Sequence, residues 1–233
     1  MHYTTNPKAQ YVNGLLDPKR LDSEVLKELL GDLGQYGYAG QIGQSPKPPG
    51  GGMFKPDTMP LLHHLSSMTN VVRTVRYWDK AGTQDAGCYT AGVKMSIMRN
   101  GSFVVWDVKK GRWGTDLREK IIKATAEADG RDVAVGIEQE PGSGGKESAE
   151  ATVKRLAGFS VTKDRPTGDK IFRADPFSVQ VNEGNVIMIR GDWNKEFKQE
   201  LELFPLGTFK DQVDGSSGAF NMLTGKRQVR VIR

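Results

Sequence analysis

Two runs rich in β-branched and aromatic residues, Tyr89 to Met98 and Ser102 to Val108, are separated only by Arg99-Asn100-Gly101. An Asn-Gly pair between such runs is the strongest short-range hairpin signal, because the tight turn needs left-handed backbone that Asn and Gly adopt at low cost. A third run, Val71, Val72, Val75 and Tyr77-Trp78, precedes them and stops at Asp79. The three predict an antiparallel meander whose first strand carries an acid at its C-terminal end.

After the meander the hydrophobic period changes. Asp116 to Ala128 places Leu117, Ile121, Ile122, Ala124 and Ala128 on roughly one helical face, with Thr115 or Asp116 as cap and Gly130 as stop. Val133 to Ile137 is a short apolar strand that runs into Glu138 and Glu140. A Gly-rich turn, Pro141 to Gly145, is followed by a predicted helix over Ser148 to Leu156 and a strand beginning at Phe159-Ser160-Val161. Helix, strand, helix, strand is the signature of parallel pairing, so the fold class is α/β: a mixed sheet flanked by helices, a three-strand meander followed by parallel strands. Downstream, Asp169 to Val181 reads as a helix despite Pro176, Asn185 to Ile189 as a strand or edge segment, Phe197 to Phe204 as an amphipathic helix and Asp211 to Leu223 as a last helix.

The start of the chain reads differently. Val25, Leu26, Leu29, Leu30 and Leu33 follow an Asp22 or Ser23 cap at helical spacing, and Gly34 to Gly52 is a Gly- and Pro-rich linker ending near Met53-Phe54. Residues 1–60 are therefore expected to be a helix and linker, 61–225 the main domain and 226–233 a basic tail.

No apolar run approaches the roughly 18 residues of a membrane span, so no membrane role is expected. Cys88 is the only cysteine, which rules out an intrachain disulfide and a cysteine-rich zinc site and fits a reducing interior. The first ten residues are polar and lack a secretory pattern, so cytosol is the expected compartment. A formal net charge of +5, with Lys and Arg spread along the chain, suits a polyanionic partner.

Acids recur where elements end or begin: Asp79 after the first strand, Glu138 after the fourth, and Asp211 with Asp214 one turn apart at the start of the last helix. In an α/β sheet, strand ends on one edge converge, so these acids can meet although they are far apart in sequence. Clustered carboxylates repel unless a cation neutralises them, and hard oxygen ligands suit Mg²⁺ or Mn²⁺. Two such ions, about 3.5 to 4 Å apart, would support phosphodiester cleavage, with Asp79 bridging them, Glu138 on one and Asp211 or Asp214 on the other. Each acid taken alone has a plainer reading: Asp79 as a turn residue, Asp211 as a helix cap, Asp214 as a first-turn acid favoured by the helix dipole. Their joint position in the order of elements is what points to a site.

At these residues a family resemblance emerges. The segments RYWDKA (Arg76 to Ala81), IEQEPGSGGKESAE (Ile137 to Glu150), PTGDKIFRADPF (Pro166 to Phe177) and DQVDGSSGAF (Asp211 to Phe220) resemble successive motifs in the C-terminal nuclease region of tailed-phage terminase large subunits. The likeness runs from about Arg73 to Leu223, and GQIGQSPKPPGGGMFK (Gly40 to Lys55) is similar to the stretch that joins the family's ATPase domain to its nuclease. The resemblance implies a ribonuclease H-like (RuvC-like) fold and an endonuclease that cuts concatemeric double-stranded viral DNA in the cytoplasm of a bacterial host. It implies a portal protein and a small terminase subunit as partners, and a chain that is monomeric in isolation. It assigns the catalytic acids to Asp79, Glu138 and Asp211, with Asp214 a further metal ligand. The family's ATPase half is missing here, so no ATP hydrolysis is expected.

Two departures stand out. Related sequences carry two adjacent acids at the third motif, whereas Lys210 precedes Asp211 here; and near the second strand, where a further acid is common, stands Cys88, with Asp85 three residues earlier. Gly142 to Ser148 superficially resembles a phosphate-binding loop, but Glu140 replaces its first glycine and Glu147 its hydroxyl residue. Lys146, Lys170 and Arg173, with Arg165, flank the acids in element order and are the expected DNA phosphate contacts, the plainer reading being a solvated helix face. Trp78, Trp106, Trp113 and Trp193 read as packing residues, and His2, His63 and His64 have no partner arrangement. Two other readings fit the same residues: a DNA-binding or portal-docking module that has lost cleavage, and a Holliday-junction resolvase-like nuclease.

Overall fold

The computed structural model describes residues 19–29, 42, 52–80 and 89–225. Two units emerge, Met1–Gly50 and Gly51–Arg233. In the first, helix α1 spans 23–29, and the Asp22 carboxylate accepts the N–H groups of Glu24 and Val25 at 2.9 Å each, which caps it. Leu30, Leu33, most of the Gly/Pro-rich stretch, Asp85, Cys88 and the tail 226–233 lie outside the described residues.

The second unit is built on a seven-stranded sheet. Its strands are β1 (Leu61–Leu62), β2 (Val71–Asp79), β3 (Thr90–Met98), β4 (Phe103–Gly111), β5 (Ala134–Glu138), β6 (Val161–Asp164) and β7 (Val186–Ile189), in the order β1-β7-β4-β3-β2-β5-β6. The expected meander is β2-β3-β4, antiparallel throughout, and Gly101 at its hairpin has φ of 85°. All remaining pairings are parallel: β2 with β5, β5 with β6, β4 with β7, and β7 with β1. The helices are α2 (Thr115–Asp129), α3 (Ser143–Arg155), α4 (Lys170–Asn182), α5 (Asn194–Leu203) and α6 (Asp211–Thr224). This is a mixed α/β architecture, as expected.

Alternation along β2 divides the core into two layers, since successive strand residues face opposite sides of a sheet. Val75 and Tyr77 join the larger cluster with residues of α4, α5 and α6, including Phe177, Phe197 and Phe220. Trp78 joins the smaller one with Ile122 and Ala126 of α2 and Ala149 of α3. The intervening Arg76 is 2% exposed and satisfied: it donates to Gly92 O at 3.0 Å and Asp107 Oδ2 at 2.8 Å and grips both oxygens of Asp129.

Three local differences from the sequence reading have physical causes. Helix α3 begins at Ser143, five residues before the expected start, because the glycines of a presumed turn occupy its first turn, where backbone N–H groups need no intrahelical partner. Strand β4 extends three residues past Val108, and its pairing partners there, Thr90 to Gly92, sustain it. Upstream of residue 61, Phe54 and Met59 are buried in the larger cluster, and Asn182 ties the segment down through Lys55 N–H at 2.7 Å and Met53 O at 3.1 Å.

Candidate metal centre

Strand β2 pairs in parallel with β5, and the last paired positions are Trp78 and Ile137. The next residue on each strand is Asp79 or Glu138. Because Trp78 and Ile137 both face the α2/α3 layer, alternation turns Asp79 and Glu138 to the other face, toward α4 and α6. Strand β6 extends the row, since Glu138 is in register with Asp164, and Asp164 accepts the Tyr77 hydroxyl at 2.7 Å. Burial, then the charges of Glu138 and Asp164, push the Tyr77 hydroxyl far above its ordinary titration range, so it stays a donor.

Helix α6 supplies the next acid. Gly218 lies against the Tyr77 ring: a Cβ there would stand 2.2 Å from Cε1, so only glycine allows the approach. Farther along, Arg73 donates to Met222 O at 3.0 Å, so α6 runs antiparallel to β2. Asp214, one turn before Gly218, is thereby carried to the end of the strand, where its side chain is 3% exposed. Helix α4 brings two cations to it. Lys170 Nζ hydrogen-bonds Asp214 Oδ2, and the Arg173 guanidinium lies 3.6 Å from Glu138 Oε1 and 3.6 Å from Asp214 Oδ1. Asp169 caps this helix by accepting the Ile171 N–H at 2.8 Å.

The electrostatics are those of crowded carboxylates, Asp214 buried and Asp79 and Glu138 half-buried. Burial, then the charges of Glu138 and Asp214, raise the Asp79 carboxyl well above the usual range, with Lys170 opposing. Burial also raises Glu138; Arg173 counteracts this and Asp214 adds to it. Lys170 is held protonated beyond its ordinary range: burial works against its charge, but the bond to Asp214 and the charges of Asp214, Asp79 and Glu138 prevail. Repulsion remains partly uncompensated, and Glu138 Oε2 and Arg173 Nε are buried without a hydrogen-bond partner.

Of the residues singled out in the sequence, Asp79, Glu138, Asp214, Lys170 and Arg173 are brought together. Asp211 begins α6, one turn ahead of Asp214. Burial raises its carboxyl, a backbone bond to Tyr89 lowers it, and its charged neighbours are Glu200 and Lys110. Asp79 senses the Asp211 charge, but after those of Glu138, Asp214 and Lys170. Lys146 is exposed in the first turn of α3. Asp164 was overlooked in the sequence, although it ends a strand as Asp79 and Glu138 do. So was Lys80, which alternation sends to the opposite layer: it donates to Ser148 O at 3.0 Å, Ser148 Oγ at 2.8 Å and Thr152 Oγ1 at 2.9 Å and lies 3.7 Å from Glu119. Burial lowers its titration to about 8. A cleft of about 300 Å³ opens between Lys80, Arg118, Glu138 and the first turn of α3. Gly145 is fixed there, since a Cβ would sit 2.2 Å from Glu140 O.

Among the described residues, no three carboxylate, imidazole or thiolate groups already close around one ion position. The ammonium of Lys170 and the guanidinium of Arg173 stand among the acids instead. The donor set nonetheless fits a hard divalent cation: all oxygen, mutually repelling, with one Glu138 oxygen lacking any partner.

The family described as the terminase RNaseH-like domain matches residues 76–223. No curated protein matches the chain in sequence. Among solved structures, the human cytomegalovirus terminase nuclease domain, Mn-soaked and inhibitor-bound, has a TM-score of 0.57 at 11% identity, with 74% of this chain and 96% of that one covered. The large terminase nuclease from thermophilic phage G20c with bound zinc has a TM-score of 0.52 at 16% identity, covering 72% and 97%. The same nuclease with bound magnesium has a TM-score of 0.51 at 15% identity, covering 75% and 98%. At such identities the likeness is one of fold.

Proposed function

For a chain that belongs to the terminase RNaseH-like domain family, as this one does over residues 76–223, we propose a metal-dependent endonuclease that cuts concatemeric double-stranded DNA during viral DNA packaging. The observation that carries this reading is the meeting of Asp79, Glu138 and Asp214 from three separate elements, three carboxylates that share the two cations Lys170 and Arg173. A stable fold has no use for such repulsion, and functional sites are where it is retained. Solved terminase nucleases with Mn, Mg or Zn present lend support.

Asp79, Glu138 and Asp214 would hold Mg²⁺ or Mn²⁺, two ions being the expectation, with Asp211 as an outer ligand. When bound, the ions would supply an activated water and stabilise the leaving oxygen. The protein's own contribution is placement. Parallel pairing of β2 with β5 fixes Asp79 and Glu138, the Gly218 contact fixes Asp214, and Arg173 braces Glu138 against Asp214. Asp164 stays engaged by the Tyr77 hydroxyl, which leaves its charge in the site's surroundings. Exposed Lys146 would contact backbone phosphate, which positions a duplex without reading its sequence. A portal protein and a small terminase subunit are the partners this reading entails, in the cytoplasm of a bacterial host.

A second reading, a DNA-binding module without cleavage, is favoured by the bond between Lys170 and Asp214. Nicking of supercoiled plasmid in Mn²⁺ against an EDTA control separates the two. The endonuclease nicks in Mn²⁺ alone and loses this in Asp79→Ala and Glu138→Ala; a module that shifts DNA in a gel yet leaves it intact overturns the proposal.

A further inference from the structure

We infer that Lys170 is a resident counter-cation which competes with a divalent ion for Asp214, so that the centre loads fully only when the Lys170 side chain is drawn away. The inference rests on the metal-centre reading above and concerns what regulates that site.

The two cations of α4 are not equivalent. Arg173 is 16% exposed in its side chain and spans two acids, one nitrogen toward Glu138 and one toward Asp214. Its Nε is buried. Lys170 is 55% exposed in its side chain, and its ammonium is bonded to Asp214, whose own side chain is 3% exposed. Only the Lys170 side of that bond is free to move: α4 is anchored by Ala174, Phe177 and Val181 in the larger core cluster and Asp214 by the contact of Gly218 with Tyr77, whereas four methylenes link the ammonium to the backbone. Nothing has to unfold for it to leave.

With Lys170 in place, one Asp214 oxygen is engaged by a positive charge at hydrogen-bond distance, and Asp79 and Glu138 also feel that charge. A divalent ion entering between the three acids meets the ammonium at close range and must displace it. This accounts for acids that sense one another strongly without closing into a three-ligand group. The released ammonium, exposed at the start of α4, is suited to a backbone phosphate of the nucleic acid. Nucleic-acid binding and metal loading would then favour each other reciprocally.

The test is a calorimetric titration of Mn²⁺ into the full chain without DNA, for wild type, Lys170→Met and Lys170→Gln, with Asp214→Asn added to each. Circular dichroism confirms the fold of every variant. Removing the ammonium is expected to tighten Mn²⁺ binding by about tenfold, within the usual range of coupling between sites, and Asp214→Asn is expected to abolish that gain. Equal or weaker binding in both Lys170 variants, with wild type binding measurably, overturns the inference and leaves the metal centre standing. No Mn²⁺ binding in any variant overturns both.

Discussion

Glu138 follows Ile137 on β5 as Asp79 follows Trp78 on β2, and Trp78 and Ile137 are register partners in the parallel pair. Two acids separated by 58 intervening residues are thus set on neighbouring strands by backbone pairing and on the same face by alternation. Their mutual repulsion follows from the fold, and it has a thermodynamic signature.

Burial, then Glu138 and Asp214, raise Asp79 well above the ordinary carboxylate range. A folded-state value above the unfolded one contributes stability that is full below the unfolded value, about pH 4, and is lost as pH rises through the raised value. In EDTA near pH 8, Asp79→Asn is therefore expected to be more stable than wild type, by on the order of 1 kcal/mol, with the difference shrinking toward about pH 4. Thermal melts across this window check the slope. An Asn variant less stable at both ends contradicts it.

Gly218→Ala places a methyl 2.2 Å from Tyr77 Cε1. Overpacking of this kind costs about 1–3 kcal/mol, and here it also lifts Asp214 from the strand end. Urea denaturation is expected to show the loss of stability, and plasmid nicking is expected to fall with it. A wild-type urea midpoint would mean that α6 does not rest on Tyr77 as described.

Arg76→Met removes the partner of two acids in the opposite layer. Burial alone would raise Asp129; the hydrogen bonds and charge of Arg76, with help from Lys94, hold it below its ordinary range instead. Breaking a buried pair from one side costs about 3–5 kcal/mol. The stability carried by Asp129 is present above the unfolded carboxylate range and is lost as pH falls through its lowered value. The variant's deficit in thermal melts is thus expected to be large at neutral pH and smaller in acid.

The sequence made the meander legible because its signals are local: Asn100-Gly101 supplies the turn, and the flanking runs are of strand length. Acids ending strands were equally visible, and Asp164 carries the same mark. Strand β1 was not, because two exposed leucines owe their strand state to Met188 and Ile189, more than 120 positions away in sequence. Composition hid the role of Phe54, a single anchor beyond a Gly- and Pro-rich stretch. The different surroundings of Asp211 and Asp214 depend on the axial position of α6. Asp211 stands three positions before Asp214, about 4.5 Å along a helix axis, and since Gly218 stands over Tyr77, that step sets Asp211 beside Tyr89, Glu200 and Lys110. The pairing of Lys170 with Asp214 had no sequence signal, since it joins two helices 44 residues apart.

Crystals soaked in Mn²⁺ test the central claim most directly, through the anomalous scattering of the ion. The account predicts a peak within about 2.0–2.6 Å of carboxylate oxygens from Asp79, Glu138 and Asp214 together, with the Lys170 ammonium withdrawn from Asp214. An ion bound elsewhere, or none while these three side chains stay as they are, would contradict it.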